Sequence, residues 1–341
     1  LEFRRVLFRS EPSVLNEARS KLSDTGTVSP QYYENAIASV ALDFISGYPD
    51  STFAPKQYAS RAQAAVLAYK LLVKLGTITD ATLPLNMVLS KNTLTQGDLL
   101  KITVYHATSA SSLSLAQELY PNFMWYDHNS MLQGYIPTNY STPPGSYNLK
   151  ITDSETGLTS TEAIEIVARD FRVQQLTIDP SIESSTRNDE AYAEYSQYFT
   201  PSRDVSSPEK YYTESFLLPT VGRLSTGFGE ARSVNGAMTT YRHSGIDIAA
   251  PRGAEVLSTN TGKVTLAMPL ILTGNSVVID HGEGLFSVYF HLDKLHVSKG
   301  ELVERGQLIG TVGSTGFSTG PHLHFTVMKH GWDIDPLLFI W

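Results

Sequence analysis

Apolar residues recur at helical spacing over Tyr32–Ile45 and again over Arg61–Leu75, which predicts two helices. Between them, Ser46–Ser60 is broken by Gly47, Pro49 and Pro55, and Ser60 stands where a residue would cap the second helix. The period then changes. Leu99–Val104, Tyr147–Thr152 and Glu162–Val167 alternate apolar and polar residues, with turn clusters such as Thr142-Pro-Pro-Gly between them. Short alternating strands with regular turns predict an Ig-like β-sandwich over residues 81–170. Residues 171–215 are polar and tyrosine-rich, and read as a connector that packs on its neighbours, with one helix over Glu190–Phe199. From Phe216 to Trp341 the chain is rich in glycine turns and short β-branched strands, among them Ser276–Asp280, Phe286–Phe290 and Leu323–Val327. That texture predicts an antiparallel β-sheet domain. The expected whole is multidomain and mainly β, with a small helical N-terminal module over residues 10–80.

Length agrees, since 341 residues suggest two or three domains. No apolar run approaches the roughly 20 residues that cross a membrane. The absence of cysteine excludes disulfides, thiolate metal sites and cysteine proteases. The net charge is −8, and Phe216 onward is nearly neutral with 9 basic and 10 acidic residues. A mildly acidic chain without a basic stripe argues against nucleic-acid binding. Leu1–Arg9 lacks the apolar core of a signal peptide and reads as a non-native scar, so the chain is taken as a fragment.

Seven of the nine histidines fall after Phe216. Three pieces stand out: His243-Ser-Gly-Ile-Asp247, Tyr289-Phe-His291-Leu292, and His322-Leu-His324, which follows the glycine-rich loop Gly313–Pro321. Residues two apart on a strand share a face, so His322 and His324 aim at one spot. The flexible Gly245 lets His243 and Asp247 converge as well. Two histidines and a carboxylate leave one metal position open, as a catalytic zinc needs. The same set also suits an iron(II) oxygenase. The additional histidines favour a hydrolase, which needs a general base beside its metal. His281 reads as a structural turn residue, His296 and His330 as solvated, and His106 and His128 as sandwich residues without ligand spacing. Gly316, Gly320 and Pro321 are expected to shape a groove wall.

Together these pieces resemble the lysostaphin-type, or LytM-like, zinc endopeptidases. The likeness extends through Ser225-Thr-Gly-Phe-Gly, Gly245-Ile-Asp-Ile-Ala-Ala-Pro-Arg-Gly, Gly274-Asn-Ser-Val-Val-Ile-Asp-His-Gly and Val303-Glu-Arg-Gly-Gln, in order. It covers residues 216–341. The resemblance implies that His243, Asp247 and His324 hold zinc, that His322 is the catalytic histidine and that His291 is its partner, although the two histidine roles can be exchanged. It implies hydrolysis of peptide cross-links in bacterial peptidoglycan. The alternative is a non-catalytic wall-binding or hydrolase-regulating protein.

Ile45-Ser-Gly-Tyr-Pro-Asp-Ser-Thr-Phe-Ala-Pro followed by Ser60-Arg-Ala-Gln resembles one S-layer homology motif. It departs from the usual pattern at Ser51, Ser60 and Gln63. The resemblance implies binding of cell-wall polysaccharide, with Asp50 and Arg61 as candidate contacts, and a location in the cell envelope or outside the cell.

Overall fold

The structure, a computed structural model, describes residues 84–340 apart from 129–130 and 213–214. Of the preceding chain it describes only Ile37, Ser39, Val40, Leu67 and Lys70–Val73, all of them helical. The remainder of the two expected N-terminal helices, with Asp50 and Arg61, lies outside the described residues. Residues 1–84 form one compact unit and 85–341 another, and the described strands all lie in the second. No helix among the described residues is long and apolar enough to cross a membrane.

The alternating segments form two four-stranded sheets. One runs β1 (Asn86–Leu89), β3 (Leu99–Tyr105), β6 (Met131–Pro137), β5 (Trp125–His128). The other runs β2 (Thr93–Thr95), β8 (Thr159–Val167), β7 (Gly145–Asp153), β4 (Leu113–Ala116). The apolar half of each pattern turns inward, so Leu100, Ile102 and Val104 share one core with Leu149, Ile151, Ile164 and Ile166.

The connector is more structured than its polarity suggests. Its β9 (Val173–Leu176) runs parallel to β11 (Ala231–Val234), which pairs with β12 (Ala237–Arg242). Helix α1 (Pro180–Thr186) starts with Pro180 in its first turn and Asp179 accepting from the Ser181 N–H. Helix α2 (Asp189–Glu194) is capped by Asn188, which accepts from the Ala191 N–H, and carries Asp189 and Glu190 in its first turn, where acidic groups suit the helix dipole. It continues as a π-turn over Tyr195–Phe199, so the expected helix over Glu190–Phe199 is present with a looser second half.

The C-terminal strands build one large sheet in the order β10 (Arg223–Thr226), β13 (Ile246–Ala249), β20 (His322–Lys329), β17 (Leu285–Leu295), β16 (Gly274–Gly282), β15 (Gly262–Leu270), β18 (Leu302–Val303). Three more strands extend it: β14 (Glu255–Leu257), β19 (Leu308–Val312) and β21 (Trp332–Ile334). Strands β16 and β17 are buried along nearly their whole length because both faces are covered. Val277, Ile279, Tyr289, Leu323 and Phe325 face one apolar cluster. Val278, Phe286, Val288 and Met328 face a second, closed by Phe199 of the connector with Tyr195 packed against it.

Sandwich and large sheet also touch. Tyr120 donates to the His330 carbonyl at 3.0 Å, the Trp332 ring meets Tyr120 edge-on at 5.3 Å, and Arg169 pairs with Asp335 at 2.7 Å. His330 is therefore not solvated as expected: it is partly buried, with Nε2 2.7 Å from the Tyr126 hydroxyl, because the sandwich covers its turn. His296 is exposed. His281 is fully buried, its Nδ1 donating to the Thr261 carbonyl at 2.7 Å and its Nε2 lying 2.7 Å from Ser287 Oγ. His128 Nε2 lies 2.8 Å from Glu283 Oε1.

Candidate metal and catalytic site

The site lies on the face of the large sheet where β13, β20 and β17 adjoin. In the antiparallel register, Asp247 on β13 faces His324 on β20, and His324 in turn faces Phe290 on β17. Cross-strand partners project to the same side, so sheet register brings Asp247 and His324 together. His243 enters from the turn before β13. Gly245 within that turn is required by crowding rather than by flexibility: a Cβ there would lie 2.1 Å from the Phe325 carbonyl oxygen. The turn can hug β20 only without a side chain.

His243 Nε2, Asp247 Oδ1 and His324 Nδ1 converge. The two nitrogens are 2.8 Å apart, and each is 2.9 Å from the carboxylate oxygen. All three residues are buried. Their outer atoms are tied down: His243 Nδ1 donates to the Gly227 carbonyl at 2.9 Å, His324 Nε2 lies 2.9 Å from Thr326 Oγ1, and Arg232 Nη2 reaches Asp247 Oδ2 at 3.3 Å. Such outer partners fix the tautomer and orientation of a ligating side chain. Burial by itself would raise the Asp247 carboxyl, but the adjoining His243 and His324 outweigh it and hold Asp247 well below the usual carboxylate range. Burial pushes His324 down to about 4.

This donor set fits a metal ion. With its other nitrogen committed outward, each imidazole can offer its inward nitrogen to a metal as a lone pair. A cation between these atoms would replace the protons they otherwise share, and all three would then present lone pairs to it.

His291 and His322 stand alongside, ring centroids 4.8 Å apart. His322 Nδ1 donates to the Gly320 carbonyl at 2.8 Å, and its Nε2 lies 3.9 Å from Asp247 Oδ1. His291 Nδ1 donates to the Thr315 carbonyl at 2.8 Å. Burial, reinforced by His322 and His324, pushes His291 down to about 3. In regular alternation His291 would point into the core with Tyr289. A bulge prevents this: between Val277↔Tyr289 and Asn275↔Leu292, β17 holds one residue more than β16. His291 takes the extra step with φ of 63°, in the left-handed region. Phe290 and His291 consequently both reach the site, while Tyr289 and Leu292 share the core.

The five candidate residues thus line one groove of about 620 Å³. Gly320 and Pro321 line it too, whereas Gly316 packs behind it against Gly274. Sequence reading overlooked Arg232 and Thr326. Thr326 lay two residues past His324 on the same strand face and was legible by period; Arg232 carried no local signal.

Residues 241–336 match the model of peptidase family M23, and residues 21–65 match the S-layer homology domain. Over 115 residues the chain is 41% identical to the peptidoglycan DD-endopeptidase ShyB of Vibrio cholerae, covering 34% of this chain and 27% of that one. It is 39% identical over 116 residues to the DD-carboxypeptidase/endopeptidase Mpg of Neisseria meningitidis, covering 34% of this chain and 26% of that protein. The chain thus spans about a quarter of the length of these curated relatives. A crystal structure described as peptidase M23 from Pseudomonas aeruginosa superposes with a TM-score of 0.52 at 24% identity, covering 74% of this chain and 95% of that one, and so shares the fold. The ordered motifs, the convergent histidines and aspartate and these likenesses agree that residues 241–336 are a domain of peptidase family M23, in a chain that also carries an S-layer homology domain over residues 21–65.

Proposed function

We propose that this protein is a zinc-dependent endopeptidase that hydrolyses peptide cross-links of bacterial peptidoglycan. The observation that carries the reading is the convergence of His243, Asp247 and His324, with two further histidines aimed at the same point. Two nitrogens and one oxygen, without thiolate, suit a catalytic zinc that keeps one position open. When bound, zinc would lower the pKa of a water toward ~7 and polarise the scissile carbonyl.

The protein's own groups move the protons. His322, with Nδ1–H committed to the Gly320 carbonyl, has its Nε2 lone pair free to accept the proton of the attacking water. It then hands that proton to the leaving amine. His291 has the same arrangement through Thr315. Burial opposes a proton resting on it, so His291 would take up a proton from solvent only as negative charge develops on the carbonyl oxygen, and donate to that oxygen through Nε2. Phe290 and the connector residues Leu176, Ile178 and Tyr195 give the groove an apolar wall.

The match to an S-layer homology domain supports a reading in which the N-terminal module attaches to cell-wall polysaccharide and the enzyme works in the cell envelope or outside the cell, with Asp50 and Arg61 as the proposed contacts. Digestion of purified peptidoglycans of different bridge types, followed by mass analysis of the fragments, tests the reading. New amines and carboxyls at one bond type are expected. Intact cross-links after incubation with fully zinc-loaded protein would make the chain a binding or regulatory protein instead.

A further inference from the structure

Among the described residues, the groove lining holds a single acidic side chain, Asp247, against three arginines: Arg187, Arg232 and Arg242. This local excess of positive charge contrasts with a chain of net charge −8. Two of the arginines are occupied. Arg232 pairs with Asp247, and Arg242 donates to the Gly229 carbonyl at 2.9 Å beneath the Phe171 ring. Arg187 is different. It comes from the turn between α1 and α2, and no carboxylate among the described residues lies within ion-pair distance of it.

Its guanidinium is held in place nonetheless. The carbon at its centre lies 4.3 Å from the Tyr241 ring centroid and 4.5 Å from that of Phe317. Nη1 donates to the Tyr241 hydroxyl at 2.7 Å. Tyr241 lies on β12 and Phe317 on the loop before β20, and both line the groove. Ring faces attract a cation but accept no in-plane hydrogen bond. Nε is accordingly buried without a hydrogen-bond partner, as is Nε of Arg232, and lies out of reach of a ligand. With Nη1 engaged and Nε enclosed, Nη2 is the nitrogen left to meet a ligand. Nη2 can meet a carboxylate oxygen of a peptide through a charge-assisted hydrogen bond.

We propose that Arg187 is a specificity-determining residue that receives a free carboxylate on the substrate peptide next to the scissile bond. The assignment rests on the peptidase reading. It makes the connector part of the substrate site, and the enzyme selective for peptides that are anionic at this position.

The test compares two soluble cross-linked peptide dimers, identical except that one carries the carboxylate adjacent to the scissile bond and the other its carboxamide. The full zinc-loaded chain is expected to cleave the carboxylate form with kcat/KM roughly tenfold to a hundredfold higher, the range of a charge-assisted hydrogen-bond pair. In Arg187→Gln that ratio should fall toward unity at undiminished zinc content. Arg187→Lys, which keeps the charge but cannot stack as a plane on the Tyr241 and Phe317 rings, should give an intermediate ratio. A wild type that cleaves both peptides equally well, or a variant pair that keeps the full ratio, overturns the assignment and leaves the peptidase reading standing. A zinc-loaded wild type that cleaves neither peptide overturns both.

Discussion

Asp247 and His324 stand opposite one another on the antiparallel strands β13 and β20, and their Oδ1 and Nδ1 atoms are 2.9 Å apart. That cross-strand pair anchors the site. His243 closes it from the preceding turn, and His322 lies on β20 opposite Ala249. The proposed ligand set therefore depends on the register of these two strands.

The proposed ligands should bind about one zinc per chain. His243→Ala, Asp247→Ala and His324→Ala should each lose it, because two remaining donors hold a dication poorly. Metal analysis of the purified variants checks this; full zinc occupancy in any of them would remove that residue from the ligand set.

His322→Ala and His291→Ala should separate chemistry from metal binding. Both should retain zinc and lose turnover by about 10²–10⁴-fold, the usual contribution of a general acid–base group. Cleavage rates measured with zinc content on the same samples decide the matter. If His322→Ala proves zinc-free while His324→Ala keeps its metal, the two roles are exchanged.

Gly245→Ala should destabilise the fold by about 1–3 kcal/mol or more, the range for overpacking, because the new Cβ meets the Phe325 carbonyl oxygen at 2.1 Å. Moving that turn off β20 also displaces His243, so zinc affinity should fall along with the thermal midpoint. Unchanged stability and zinc affinity would show that the turn has room to give.

Acid should weaken the fold partly through His281, which burial pushes down to about 4. The unfolded chain binds this proton near pH 6.5 and the folded one near 4, so stability is intact above 6.5 and declines as the pH falls between the two values. The shift corresponds to about 3 kcal/mol at 1.36 kcal/mol per unit. Denaturant titrations across this window should show a shallower pH dependence in His281→Gln than in wild type; an unchanged slope would assign the acid sensitivity elsewhere.

Removing residues 1–80 should weaken cosedimentation with wall sacculi while leaving cleavage of soluble cross-linked peptides intact, since the S-layer homology match ends at residue 65. Equal sedimentation of the full and shortened chains would deny the N-terminal module an anchoring role.

By itself the sequence determined whatever depends on neighbours along the chain. Alternation revealed the sandwich strands, the two-residue spacing put His322 and His324 on one face, and the order of short motifs identified the peptidase domain. Tertiary structure alone decided what depends on contacts between distant segments. Tyr289 and Leu292 lie three residues apart yet enter the same core, and only the pairing of β17 with β16 reveals the bulge that turns His291 outward. The polar connector read only as packing on its neighbours because its few apolar side chains, Phe199 and Tyr195 among them, have no core of their own; they close the second face of a sheet built from residues far along the chain. Arg232 beside Asp247, and Arg187 between Tyr241 and Phe317, carry no periodic signal. Their positions follow from β9 pairing with β11 and from the connector packing over the groove, and such long-range packing leaves no local pattern to read.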